Sequence, residues 1–153
     1  MKMNRILLPL FSACLFLVAG CKDTTIEPFE AFYVAFNPDA SGPDRVNCNG
    51  TLSALYTVHL CSTLPSEPVH VTYSVTADGL TEGVDYKLGS SGRTLTFMPG
   101  IFDQRIAIDW LPNALARDGT LTLRLETVDA DLLLGYPGPS QKNRTFVITK
   151  YKP

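Results

Sequence analysis

From Val69 to Val75 the chain alternates. Val69, Val71, Tyr73 and Val75 fall on one side of an extended backbone, and His70, Thr72 and Ser74 on the other. This period of two marks a strand with one buried face. The same alternation returns in "RTLTF" (Leu95, Phe97), "QRIAIDW" (Ile106, Ile108, Trp110), "TLTLRLE" (Leu121, Leu123, Leu125), "RTFVITK" (Phe146, Ile148) and "LSALYTVHL" (Leu52 to Leu60). With an opening strand in "AFYVAF", Ala31 to Phe36, the pattern predicts about seven strands. Turn-forming stretches separate them, among them "NPDASGPDR", "STLPSEP", "MPG" and "YPGPSQKN". No segment keeps a 3.6-residue apolar period for a full helix, although "WLPNALARDG" has room for one turn after Pro112. Short alternating strands at this spacing imply an all-β antiparallel sandwich, because each sheet must bury one face against another.

A different pattern precedes the strands. Lys2 and Arg5 are followed by an apolar run from Ile6 to Ala19. As a helix that run rises about 1.5 Å per residue, well short of a hydrocarbon core of about 30 Å. A charged start, a short apolar middle and small residues before the cut describe a secretory leader. Val18-Ala19-Gly20-Cys21 resembles the bacterial lipobox, in which an aliphatic residue and two small ones precede a lipid-modified cysteine. The resemblance implies that Cys21 becomes the mature N-terminus and carries diacylglycerol and further acyl chains such as palmitate, enough for a stable anchor. The alternative is an ordinary leader cut nearby, with Cys21 a plain thiol. The chain then divides into a leader over 1–20, a tether over 21–29 and a sandwich over 30–153. Asp23-Thr24-Thr25 resembles the O-glycosylation site of Bacteroides-type bacteria, in which early acidic residues accompany surface export. The expected location is the cell envelope, anchored at the outer membrane, with its periplasmic or surface face left open.

Without its leader the chain has 133 of its 153 residues, enough for one domain. Lys2 and Arg5 leave with the leader, so 13 basic residues fall to 11 against 15 acidic ones, a formal charge of −4. With no basic cluster either, nucleic acid is not an expected partner. Cys48 and Cys61 form an even set, so an exported protein permits a disulfide between them. Two reduced thiols on neighbouring strands are the other reading.

The stretch from Val69 to Asn113 resembles a Calx-beta domain. The resemblance rests on Gly83-Val84-Asp85-Tyr86, on Leu95-Thr96-Phe97-Met98-Pro99-Gly100, and on the strand of alternating isoleucines after them. "TLTLRLETVDADLLLG" and "RTFVIT" fit the strands that follow in that family. The implied fold is an immunoglobulin-like β-sandwich. Some members bind calcium at one end, and a calcium ion takes about six to eight oxygen ligands. Asp78, Glu82, Asp85 and Asp109 are the calcium candidates here, with Asp129 and Asp131 as further acids. Only Asp109 follows the isoleucine strand where calcium-binding members carry an acidic cluster, so the resemblance does not imply calcium regulation for this chain.

The sequence contains no Gly-x-Ser-x-Gly, His-Glu-x-x-His or Cys-x-x-Cys motif and no phosphate-binding glycine loop. His59 and His70 alternate onto the outer face of their strands, where a shared zinc would still need a third ligand. Asp118 and Glu126 are the one conceivable acid and base for glycoside hydrolysis. Trp110 and Tyr136 are candidates for stacking on a sugar, although Trp110 continues the core face of Ile106 and Ile108. The expectation is therefore a non-catalytic module without catalytic residues, cofactor or metal. Its expected contacts are the membrane through its lipid and an envelope protein or a glycan.

Overall fold

Ten strands and a single 3-10 turn make up the regular structure of the computed structural model, which describes residues 31–153. Cys21, the leader and the tether lie outside the described residues. The strands are β1 (Tyr33–Phe36), β2 (Arg45–Asn47), β3 (Leu52–Cys61), β4 (Val69–Asp78), β5 (Tyr86–Leu88), β6 (Thr94–Phe97), β7 (Asp103–Trp110), β8 (Gly119–Val128), β9 (Leu133–Leu134) and β10 (Thr145–Tyr151). One sheet has the order β5-β7-β3-β1-β9 and the other β2-β10-β8-β4-β6. The domain is an immunoglobulin-like β-sandwich.

Each expected strand is present, as β1, β3, β4, β6, β7, β8 and β10. The three additional ones, β2, β5 and β9, have two or three residues each, too few for alternation to show. Pairing is antiparallel except at two edges, where β9 runs parallel to β1 and β2 parallel to β10. The room for one helical turn after Pro112 is not used. There the backbone N–H of Leu111 donates to the Asp85 carbonyl and that of Asn113 to Cys48 (3.0 and 2.8 Å). The one 3-10 turn lies instead at Pro38–Ala40, opened by proline, whose missing N–H costs nothing at that position.

Alternation delivers the core as the sequence implies. Phe36, Tyr56, Val58, Leu60, Val71, Phe97, Ile108, Trp110, Leu121, Leu123, Leu125 and Ile148 all lie inside, each large side chain worth about 1.5–3 kcal/mol by burial. A register shift in the β4–β8 pairing, where Thr72 faces Thr127 and Tyr73 faces Leu125, inserts Glu126 as an extra residue. This bulge lets Glu126 and Thr127 both face outward after Leu125 has faced in.

The registers give the sandwich two distinct ends. Cys61, Tyr33, Asp103, Val69 and Val128 belong to one, and Leu52, Trp110, Asp78, Gly119 and Lys150 to the other. This separates the proposed disulfide partners. Cys48 bonds to Asn113 at the Trp110 end, whereas Cys61 lies at the far end of β3. The nine steps from Leu52 to Cys61 span about 30 Å at strand rise, far beyond disulfide reach. Both thiols are free, and the disulfide expectation is corrected on that ground.

Candidate functional site

At the Trp110 end, Asp85 closes the loop between β4 and β5 and points inward. Its carboxylate accepts from the Thr81 N–H (2.8 Å), Asn113 Nδ2 (2.9 Å) and Lys150 Nζ (2.9 Å). Lys150, a β10 residue with a side chain 0% exposed, also donates to the carbonyls of Leu111 (2.8 Å) and Asp85 (3.3 Å). One ammonium thus joins β10 to two loops. Burial alone raises the Asp85 pKa. The bonds from Asn113, Lys150 and Thr81 and the charge of Lys150 outweigh it and hold the carboxyl below its ordinary value.

The other calcium candidates do not join Asp85. Asp109 lies on the outer face of β7 and accepts from Ser53 Oγ at 2.6 Å, because Ile108 and Trp110 take the inner positions. Asp78 pairs with Arg117 at 3.2 Å, and Glu82 is exposed. Asp129 belongs to the opposite end, bonded to both the backbone N–H and the ring Nδ1 of His70 (2.7 Å each). Those bonds lower its pKa, the backbone one most. Among the described residues no group of three or more acids, histidines or cysteines is placed to hold a metal.

His59 and His70 do face outward, but on opposite sheets. His59 pairs with Asp103 across β3 and β7, and His70 with Asp129 at the edge of the β4–β8 pairing, so they share no ligand. Asp118 and Glu126 are also apart. Eight steps along β8 place them about 26 Å from each other, well beyond the roughly 5–10 Å that glycoside hydrolysis requires. Asp118 accepts from the Lys152 N–H, while Glu126 accepts from Ser74 and lies 3.7 Å from Arg124.

The two aromatic candidates separate sharply. Trp110 is fully buried, and its Nε1 donates to the hydroxyl of Tyr56 at 3.2 Å, which in turn donates to the Pro43 carbonyl. It is core and presents nothing to a sugar. Burial, followed by the Asp44 charge and against the bond from Trp110, pushes Tyr56 up to about 12. Tyr136 is 37% exposed and meets Tyr33 edge to face, with ring centroids 5.3 Å apart. Gly135 makes this possible. Its φ of +85° turns the chain out of β9, and an added Cβ would lie 2.5 Å from the Gln141 carbonyl oxygen. Tyr33 was not singled out by the sequence, because its contact with Tyr136 is created by the parallel β1–β9 pairing.

The sheet edges offer little for strand addition. They are β5, β9, β2 and β6, of two to four residues, the short-edge device that discourages pairing with other chains. Gln104 Nε2 also donates to the Thr96 carbonyl of β6 at 2.7 Å. At the β1–β9 edge, Tyr33 and Tyr136 form a partly exposed aromatic pair.

This fold matches that of Calx-beta domains. The calcium binding domain CBD12 of CALX1.1 aligns with a TM-score of 0.55 at 21% identity, over 78% of this chain and 44% of that one. CBD12 from CALX1.2 aligns with a TM-score of 0.55 at 17% identity, over the same shares. The chain thus spans less than half the length of either structure, and at these identities the likeness concerns the fold. No protein-family model and no curated protein matches the sequence.

Proposed function

We propose that this chain is a lipid-anchored, non-catalytic interaction module of the bacterial cell envelope, which binds its partner through the tyrosine-bearing β1–β9 flank. The observation that carries the reading is the exposed Tyr136, just past the short edge strand β9, held edge to face against Tyr33 of β1, an amphipathic contact of the kind enriched in interfaces. The acidic side chains bonded to Ser53, His59, His70, Arg117 and Lys150 are engaged within the domain. The lipobox at Val18 to Cys21 is the basis for the anchor, and the early acid Asp23 after it for the outer-membrane address. An envelope protein is the first choice of partner. A glycan is the second reading, and with Trp110 buried it rests on Tyr136 alone.

The test is capture of the full lipidated protein from detergent-solubilised envelope, comparing wild type with Tyr136→Ala, with mass spectrometry for proteins and sugar analysis for glycans. A stoichiometric membrane protein lost in the variant supports the reading. Polysaccharide recovered without protein transfers it to glycan binding, and equal recovery by both forms removes the flank from the site.

A further inference from the structure

The exposed large apolar side chains are unevenly distributed. Of nine among the described residues, five belong to the Cys61 end: Leu64 (69% exposed), Met98 (52%), Ile101 (46%), Leu133 (46%) and Phe32 (43%). Leu55 and Val147 stand singly on outer faces, Tyr136 lies on the flank, and Val84 is the one at the Trp110 end. The five come from separate segments. Leu64 lies in the β3–β4 loop, Met98 and Ile101 in the β6–β7 turn, Phe32 just before β1, and Leu133 in β9 bonded to Phe32. Met98 and Ile101 are held at the tip by the Ile101 N–H bond to the Met98 carbonyl, with Gly100 at a φ of +85°. Residues 62–68, 98–102 and 129–132 include no lysine or arginine, and their acids are Glu67, Asp129 and Asp131.

We infer that the Cys61 end of the sandwich seats on a zwitterionic lipid bilayer, with Leu64, Met98 and Ile101 entering the headgroup region. The inference rests on the anchored reading of Cys21 for its direction. The nine residues from 22 to 30 reach about 30 Å when fully extended and join the domain at Ala31, beside Phe32 on this same end. The tether therefore joins the domain at its apolar end and not at the Trp110 end. Single apolar side chains on separate loop tips suit a fluid surface that closes around each of them. A protein partner requires a continuous complementary face. The acids and the absence of basic residues select neutral headgroups, because an anionic surface repels this end.

The experiment uses the full lipidated protein in Cys61→Ser background, in phosphatidylcholine–phosphatidylethanolamine vesicles, with an environment-sensitive thiol label at Ile101→Cys or Val84→Cys. The expected result is blue-shifted emission at position 101, quenched by nitroxide lipids of shallow depth, with neither effect at position 84. Adding Leu64→Ser and Met98→Ser should weaken that quenching, as should anionic vesicles. Mass spectrometry of the same sample reads the lipid on Cys21. A lipid-bearing protein whose position-101 label stays aqueous overturns the docking and leaves the anchor standing. Protein that carries no lipid and does not bind vesicles overturns both. Stronger quenching in anionic vesicles overturns the apolar mode of seating.

Discussion

Replacing Lys150 with methionine keeps most of the side chain's volume and removes its charge from a site with no access to water. The ammonium's two short bonds, to Asp85 Oδ1 and to the Leu111 carbonyl, are lost together with the longer one to the Asp85 carbonyl. Hydrogen bonds to charged groups are worth about 1.5–3 kcal/mol each. Asp85, its side chain 4% exposed, keeps only the neutral donors Asn113 and Thr81. Breaking one side of a buried pair costs about 3–5 kcal/mol, which the two short bonds together account for. Against a domain stability of about 5–15 kcal/mol, the loss should be plain in a urea titration of the full chain. The double variant Asp85→Asn/Lys150→Met removes both charges and should recover a large part of it. The pH dependence gives a separate reading. A carboxyl held below its ordinary value contributes stability that is present above its unfolded value near 3.8 and is lost as pH falls through the folded one. That acid-side loss should shrink in Lys150→Met. A cost under about 1 kcal/mol, with the double variant no better than the single, would refute the description of this pair as a buried lock.

Four further outcomes follow from the packing. Trp110, the one tryptophan of the chain, should emit as a buried indole and resist acrylamide until the protein unfolds, and Trp110→Ala should cost about 3–5 kcal/mol in denaturant titration; free quenching in the native state would place it outside the core. Tyr56, raised to about 12, should stay protonated in ultraviolet titration while exposed tyrosines ionise. Its stabilising share is present below the unfolded value of 10 and is lost as pH rises from there through 12. A thiol reagent should modify Cys61 in the native protein and Cys48 only after unfolding, and a reductant should leave the melting temperature unchanged, whereas a shift would restore the disulfide. Gly135→Ala forces a side chain into a left-handed turn against the Gln141 carbonyl, so it should cost about 1–3 kcal/mol and move Tyr136, seen as a change in near-ultraviolet dichroism.

What the sequence disclosed depended on distance along the chain. Strands of four residues or more were legible because alternation needs at least two inward positions to register, as Leu95 and Phe97 show in β6. The two-residue β9 and the three-residue β2 and β5 carry no such signal. They are strands because Tyr33, Lys150 and Trp110 lie where they can pair with them. The acids were legible as calcium candidates, but not their fates. Asp85 and Asp109 look alike in sequence, yet one is buried against Lys150, 65 residues away, and the other meets Ser53 on an outer face. The same limit explains the disulfide. Cys48 and Cys61 are close in number, but a ten-residue strand that ends in Cys61 separates them. Trp110 kept to the alternation, so its burial was legible; the Tyr33–Tyr136 contact was not, because it depends on β9.

The two ends of the sandwich differ in how they are held, and the difference bears on where binding occurs. At the Trp110 end, Lys150 fixes the loop after β4 and the loop after β7 to the last strand through three oxygen acceptors, and Asn113 adds a bond to the same carboxylate. Loops tied in this way spend their polar groups on one another, and moving one of them exposes a buried charge. At the Cys61 end the two His-Asp pairs sit on outer faces and are about half exposed, worth about 0–1 kcal/mol each in that setting. The loops between them carry their apolar side chains outward and remain free to make new contacts at small cost. A ligand approaching the Trp110 end must compete with a closed network, whereas one approaching the Cys61 end or the adjoining Tyr136 flank displaces only water. Ala31, the first described residue, lies at that same end, so the surface most available for contact is also the one where the preceding segment joins the domain.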